Sequence, residues 1–161
     1  MDASPEPIRS ARLTLEPLRV DHAEAMAGVL GDPELYRYIG GIPPSVDALA
    51  ARYRRQINGP RTDQMRWFNW IMVNHETGNT PVGFVQATLE RGTDRYWSAH
   101  LAWVVGINYQ GHRFASEASA AVMAWLSEHG IVRFDAHIGK ENVASIRTAA
   151  ALGMVWNGGL D

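Results

Sequence analysis

Between residues 67 and 105 the apolar side chains change from a helical spacing to an alternation of period two, which is typical of β-strands. Three segments show this alternation, and turn-forming residues separate the first two as in a hairpin: residues 67–74, 82–89 and 97–105. The first two segments are apolar on both faces. Because a sheet face in contact with water needs polar residues, we expect helices to cover this sheet on both sides.

The flanking segments supply helices and further strands. Helical spacing, with capping residues at the ends, predicts helices over residues 21–31, 45–57, 115–129 and 142–152, and a short one after Asp32 and Pro33. Alternation predicts strands over residues 12–18, 133–138 and 154–156. This order predicts a mixed α/β (α+β) fold, in which a mostly antiparallel sheet is flanked by helices on both faces.

A single domain over residues 1–161 is expected, since the chain shows no repeat, low-complexity tract or long linker. A chain of this length, with 46% hydrophobic residues, can bury a core without a disulfide or a structural metal. The absence of cysteine excludes a disulfide framework, a thiolate zinc site and a cysteine nucleophile. The histidines lack the spacing of a metal site, so no metal is predicted.

Charge and the polarity of the N-terminal residues limit the partners. The formal net charge of -2 is too balanced for a dedicated nucleic-acid binder. Residues 1–10 are polar, contain two prolines and are predicted to be flexible, without the apolar stretch of a secretory signal. No apolar run is long enough to span a bilayer. We therefore expect a cytoplasmic protein that binds neither nucleic acid nor membrane.

The residues most informative about function form a strand that runs through a glycine-bearing turn into a helix, over residues 104–117. Such a turn directs several main-chain N–H groups toward one point, and the helix start adds the positive end of its dipole. A phosphate fits this description. The alternative is an ordinary strand-to-helix turn that carries a glycine for its backbone geometry alone.

Three motifs in this order resemble the GNAT superfamily of N-acetyltransferases: YQGHRFASEA at residues 109–118, NVASIR at 142–147 and LGM at 152–154. The segments RLTLEPL at residues 12–18, DPE at 32–34 and the hairpin at 77–83 are similar to that family as well. Within the family, the branch that contains the ribosomal-protein N-terminal acetyltransferases is most similar. The resemblance covers residues 12–156.

The resemblance implies acetyl-coenzyme A as the acetyl donor. Its diphosphate is expected on the turn before the helix, and its pantetheine arm along the strand that precedes the turn, bonded to main-chain groups as an added strand would be. The resemblance also implies that the fourth and fifth strands of the family's sheet diverge at this point. The residues expected to bind the donor are Trp103, Val104, Val105, Gln110, Gly111, His112, Arg113, Phe114, Ala115, Ser116 and Asn142.

One position departs from the family pattern. The family has glycine where this chain has Arg113, and glycine is favoured where a backbone approaches a ligand closely or adopts a positive φ. Arg113 either points outward and attracts phosphates or blocks the pocket. Because Gln110, Gly111, Ala115 and Ser116 are all present, we expect the coenzyme site to be retained.

Acetyl transfer to an amine needs a base, stabilisation of an oxyanion and a proton for the leaving thiolate. His100 is the candidate base, because it lies on a strand predicted to face the cleft; the alternative is a surface or core histidine. By resemblance, Asn142 approaches the pantetheine arm and Ser145 is the candidate acid for the thiolate, the alternative for both being helix capping. The oxyanion donor would be a main-chain N–H at Val104 or Val105.

These features predict an N-acetyltransferase in which the amine attacks the thioester directly in a ternary complex. The acceptor is either a small-molecule amine or a protein N-terminus. The alternative is a non-catalytic acyl-coenzyme A binding or interaction protein with a degenerate site; a nucleotide-binding module of another type fits less well. By resemblance, a further hairpin and last strand are expected, but the sequence stops at residues 158–161. Either the chain is cut short or another molecule supplies the strand, and an unfilled sheet edge predicts a homodimer or a poorly stable monomer.

Overall fold

In the part of the chain that the structure describes, six strands form one sheet whose spatial order follows the sequence. The computed structural model describes residues 1–157. The strands are β1 (Ile8–Arg9), β2 (Leu13–Pro17), β3 (Met65–Asn74), β4 (Thr80–Arg91), β5 (Trp97–Val105) and β6 (Arg133–Asp135). The helices are α1 (Ala23–Val29), α2 (Val46–Asn58), α3 (Phe114–Glu128) and α4 (Val143–Ala151). All neighbouring strands are antiparallel except β5 and β6, which are parallel. The predicted mixed fold is confirmed.

Helices cover both faces of the central strands, as the apolar pattern predicts; the face against α3 is buried, and the face against α1 and α2 is buried in part. On one face Trp70 and its neighbours pack with Val122 and Leu126 of α3. On the other face Ile71 packs with the side chains of α1 and α2, among them Leu49. Burial of a side chain of this size contributes roughly 1.5–3 kcal/mol, so the two layers account for much of the stability of the sheet. This packing fixes which side chains of β5 face each helical layer.

The N-terminal segment, predicted to be flexible, contains a strand that the sequence pattern does not reveal. Residues Ile8–Arg9 pair with β2, and the buried indole of Trp70 donates a hydrogen bond from Nε1 to the carbonyl oxygen of Glu6 at 2.9 Å. The reason is tertiary: a buried indole N–H needs an acceptor, and this segment supplies it.

The prediction of a strand over residues 154–156 is wrong. These residues lie outside any strand or helix, and Val155 and Trp156 are 88% and 83% exposed. The segment predicted as a strand over residues 133–138 is shortened to β6, which has three residues. Within residues 1–157 no strand pairs with the outer edge of β6, so a strand at 154–156 has no partner there. Residues 158–161, to which the expectation about the last strand refers, lie outside the described residues.

None of the helices within residues 1–157 is long and apolar enough to cross a membrane.

Gly83 on β4 determines how closely β4 approaches the end of β5. It pairs with Val105, and a Cβ atom at this position would lie 2.2 Å from the carbonyl oxygen of Val104. We expect Gly83→Ala to lower the free energy of unfolding by about 1–3 kcal/mol, because backbone must move to relieve the contact. Gly28→Ala in α1 is the matched control, since nothing lies within 4 Å of its added Cβ and alanine favours helix. Urea unfolding measures both; equal stability of Gly83→Ala and the unsubstituted chain contradicts the prediction.

Candidate active site

The cleft exists because β5 and β6 diverge. Their pairing is limited to residues 98–100 of β5, whereas β4 pairs with β5 along its whole length. Within residues 1–157, the last five residues of β5 therefore have no partner strand on the β6 side. The family resemblance implies this divergence between the family's fourth and fifth strands, which correspond to β5 and β6 when counting starts at β2. The divergence leaves main-chain groups of β5 without a strand partner on this side, where a ligand can run alongside the strand. The carbonyl oxygen of Val105 accepts a hydrogen bond from Gln110 Nε2 at 3.0 Å.

A cavity of about 840 Å³ occupies the space between the diverging strands. The end of β5, the turn that follows it and the start of α3 form one wall, and α4 forms another. Every residue predicted for the site lines this cavity except His100 and His112. The lining residues that were predicted are Trp103, Val104, Val105, Gln110, Gly111, Arg113, Phe114, Ala115, Ser116, Asn142 and Ser145.

The turn before α3 has the backbone geometry of an anion site. A 3₁₀ helix (Ile107–Tyr109) leads to Gly111, at φ 84°, and Arg113, at φ 62°. Among the described residues, the N–H groups of Phe114, Ala115 and Ser116 at the start of α3 have no main-chain partner. Free N–H groups at the start of a long helix attract negative charge through both hydrogen bonding and the helix dipole. The free N–H groups that the anion-site prediction requires are present, and phosphate binding itself stays a prediction.

Arg113 adopts the left-handed conformation that a glycine would take. For a residue with a side chain this conformation costs about 1–2 kcal/mol, so the surrounding structure imposes it. The side chain is exposed where it lines the cavity, and it forms no hydrogen bond or ion pair with residues 1–157. The substitution therefore preserves the bend of the main chain and adds a positive charge beside the free amides.

A hydrogen-bonded network attaches the start of α3 to the sheet. Glu117 accepts hydrogen bonds from Ser10 Oγ at 2.6 Å and from the Arg12 main-chain N–H at 2.9 Å, and its other oxygen accepts from Arg12 Nε at 2.7 Å. Arg12 also donates to the carbonyl oxygen of His112 at 2.8 Å and lies over the ring of Phe114. Burial raises the pKa of the Glu117 carboxyl, but the hydrogen bonds from Ser10 and Arg12 lower it further than burial raises it.

Sequence reasoning missed this network, although Arg12 and Glu117 both lie in the motifs quoted above. In the sequence, only their opposite charges connect the two residues, and nothing indicates that side chains 105 positions apart are in contact. The network also explains the position of His112. Its carbonyl oxygen contributes to the network, and its ring stacks at a tilt on Phe114, 5.5 Å between centroids, outside the cavity lining.

His100 lies away from the cleft, where β6 still pairs with β5. Its Nδ1 is 2.5 Å from Asp135 Oδ1, and its Nε2 is 3.2 Å from Glu90 Oε2. The hydrogen bond to Asp135 raises the pKa of His100 above its usual value; burial opposes this and Glu90 adds to it. With both nitrogens directed at carboxylates, the protonated ring is favoured and no lone pair is free to accept a proton. The base role of His100 stays a prediction that this placement does not support.

The raised pKa of His100 leads to a dependence of stability on pH. A group whose pKa is higher in the folded state stabilises the fold below its unfolded pKa, and the contribution disappears as pH rises through the folded value. We therefore expect His100→Gln to be less stable than the unsubstituted chain at pH 5.5, with the difference shrinking as pH rises above neutrality. Asp135→Asn should show the same trend. Urea unfolding across pH 5–9 measures it, and a difference that grows with pH contradicts the assignment.

Ser145 and Asn142 both lie at the start of α4, but their side chains make different contacts. Asn142 caps the helix, since its Oδ1 accepts a hydrogen bond from the Ser145 N–H at 3.2 Å. The hydroxyl of Ser145 lines the cavity and forms no hydrogen bond with any other residue among 1–157. The predicted capping role thus falls to Asn142, and the Ser145 hydroxyl is free to donate to a group in the cleft.

Among residues 1–157 no group of three or more histidine, aspartate or glutamate side chains is arranged to hold a metal ion.

Comparison with known sequence families identifies the chain. The acetyltransferase (GNAT) domain family matches residues 12–155, which is most of the sequence, and the chain belongs to this family. The family supports acetyl transfer as the general chemistry of the fold. A comparison with curated proteins found no significant match.

Several solved structures share the fold. An acetyltransferase of the GNAT family from Bacillus anthracis superposes with a TM-score of 0.78 at 19% identity, over 95% of this chain and 86% of the other. The Salmonella typhimurium acetyl transferase that modifies the N-terminal serine of ribosomal protein L7/L12 gives 0.79 at 17% identity, over 95% and 87%. The ribosomal L7/L12 alpha-N-protein acetyltransferase RimL in complex with coenzyme A gives 0.78 at 19% identity, over 91% and 82%.

Proposed function

We propose that this chain is an N-acetyltransferase that transfers the acetyl group of acetyl-coenzyme A to a primary amine by direct attack in a ternary complex. The observation that carries the proposal is the convergence of three features on one cavity: the unpaired edge of β5, the free N–H groups at the start of α3 and the free hydroxyl of Ser145. The edge of β5 can stabilise the oxyanion and the Ser145 hydroxyl can protonate the thiolate, while the N–H groups of α3 suit the diphosphate of the donor.

The residues of the cavity fit the donor. The free amides of Phe114, Ala115 and Ser116, with the positive charge of Arg113, suit a diphosphate. The unpaired edge at Val104 and Val105 suits the amide-containing pantetheine arm, which can bond to main-chain groups as a strand does. A volume of about 840 Å³ is within the range of pockets that hold a cofactor-sized ligand. The solved relative that contains coenzyme A supports this assignment.

The chemistry that the bound donor supplies is an electrophilic thioester carbonyl. A main-chain N–H at Val104 or Val105 would stabilise the oxyanion as the amine nitrogen bonds to the carbonyl carbon. When the carbon–sulfur bond breaks, the Ser145 hydroxyl would give its proton to the sulfur, and the proton lost by the amine restores it through solvent. No covalent intermediate on the enzyme is required.

A protein N-terminus or another weakly basic amine is the proposed acceptor. Glu34 is the one acidic side chain among the described residues that line the cavity, and it pairs with Arg37 at 3.3 Å. Without a dedicated base at the reacting atoms, the amine must lose its proton unaided. An α-amine, with a pKa of about 7.7–8.0, is partly neutral near pH 7, whereas a lysine amine, near 10.4, is not. The similarity to N-terminal acetyltransferases of ribosomal proteins supports the same acceptor class.

A thiol-release assay over a panel of peptide α-amines, small amines and lysine analogues tests the proposal, with donor binding measured in parallel. We expect Ser145→Ala to lower kcat by about 100-fold, because a general acid contributes at least that factor, with donor affinity unchanged. Ser127→Ala, on the exposed end of α3, is the matched control.

The outcomes distinguish three cases. Turnover with Ser145 dependence supports the full proposal. Donor binding without turnover on any amine indicates a non-catalytic acyl-coenzyme A binding protein instead. A large loss of kcat in His100→Gln, with Ser145→Ala unaffected, would restore His100 as the base and remove Ser145 from the mechanism.

A further inference from the structure

A second cavity, of about 300 Å³, lies between α2 and the face of the sheet that α2 covers. We call it the basic groove and define it by the residues Arg52, Arg55, Trp67, Asn69, Gln86 and Thr88. The two arginines are three positions apart on α2 and therefore lie on one face of the helix. The other four residues come from β3 and β4, where directly paired residues share one face.

The polar side chains of the basic groove have no partners within the described chain. Among residues 1–157, no hydrogen bond or ion pair involves the side chain of Arg52, Arg55, Asn69, Gln86 or Thr88. Asn69, Gln86 and Thr88 are nonetheless half-buried. Partly buried polar groups normally find a hydrogen-bond partner, so these groups are available to water or to a ligand.

No carboxylate lines the part of the basic groove that the structure describes. The nearest acidic groups in the strand register are Glu90 and Asp135, which are directed at His100, and Glu16, which pairs with His22 and Arg19. Two unpaired guanidinium groups next to neutral amide and hydroxyl groups are suited to a carboxylate or a phosphate, since a guanidinium binds either through two parallel hydrogen bonds. The indole of Trp67, which is 37% exposed, forms an apolar wall beside them.

The strand register places the basic groove and part of the cleft on the same face of the sheet. Gln86 pairs with Ala102 of β5, and Ala102 is two residues from Val104, which lines the cleft. Ala102 is exposed, so no bulky side chain stands at this position between Gln86 and Val104. From strand rise and spacing, Gln86 is about 8 Å and Asn69 about 12 Å from Val104.

We propose that the basic groove binds an oxyanion, a carboxylate or a phosphate, carried by the acceptor about 8–12 Å from its reacting amine. This inference rests on the proposed function and deepens it, since it names the class of acceptor. In an extended peptide this distance corresponds to an acidic side chain at the third or fourth residue. A free amino acid is too short to connect the two sites.

Acetylation kinetics on short amidated peptides test the inference. One series carries glutamate at the second, third or fourth position, and a matched series carries glutamine there. A third series carries phosphoserine at these positions, which separates phosphate from carboxylate recognition. We expect glutamate or phosphoserine at the third or fourth position to lower KM roughly tenfold relative to glutamine, with little change in kcat. Glutamate at the second position should give no such preference.

The preference should disappear in the double variant Arg52→Gln and Arg55→Gln, so that the acidic and neutral peptides have the same KM. Arg54→Gln is the matched control, because Arg54 is an exposed arginine of the same helix that does not line the basic groove. The preference should persist in this control. A circular dichroism melt confirms that each variant is folded.

Peptide binding, measured by calorimetry without donor, separates this inference from the proposed function. If the acidic peptide binds preferentially but no peptide is acetylated, oxyanion binding by the basic groove is supported and the proposed acetyl transfer is overturned. If the glutamate and glutamine peptides are acetylated with equal KM, oxyanion binding by the basic groove is overturned and the proposed acetyl transfer is supported. A preference that survives in the double variant, or no binding of any peptide, also overturns the assignment of the groove.

Discussion

The early end of the pairing between β5 and β6 is the constraint on which the rest of the site depends. β4 pairs with β5 along its whole length on one side, while β6 pairs only with residues 98–100 on the other. The far end of β5 is therefore fixed in place by one neighbour and open toward the other. An open edge in a central strand would ordinarily favour association with another strand. Here α3 and α4 form the walls around it, so the edge becomes the floor of a cleft.

The hydrogen-bonded network around Glu117 holds the start of α3 in position beside the open edge of β5. The Glu117 carboxylate receives hydrogen bonds from Ser10 and Arg12, and Arg12 in turn holds the carbonyl of His112 in the turn. The free amides at the start of α3 are thus held in position by contacts with the segment between β1 and β2, and not by the turn alone. Charge-assisted hydrogen bonds of this kind are shorter and stronger than neutral ones. They also account for the stability of a left-handed arginine in the turn, since the strain at Arg113 is small compared with the contacts around it.

The strands and helices with strong periodicity could be predicted from the sequence, and so could the turn at Gly111, because local pattern and turn chemistry decide them. The sequence could not reveal β1, whose two residues pair only because Trp70 and β2 lie nearby. It also led to a strand at 154–156 that lacks a partner among the described residues. The surroundings of His100 were hidden for a similar reason: alternation identifies the face of β5 on which it lies, but not that Glu90 and Asp135 contact its ring. Contacts between distant segments decide these features, and a single sequence does not contain them in readable form.

Donor binding, and with it the proposed chemistry, requires that the turn before α3 holds the diphosphate of the donor although it carries an arginine. Calorimetric titration of acetyl-coenzyme A into the unsubstituted chain and into Arg113→Gly tests this claim directly. Because the main chain already has the required bend, both proteins should bind the donor, with dissociation constants within about fivefold of each other, the loss of one exposed charge being a small effect. Absence of heat with the unsubstituted chain, together with tight binding by Arg113→Gly, would show that the arginine closes the site and would contradict the account.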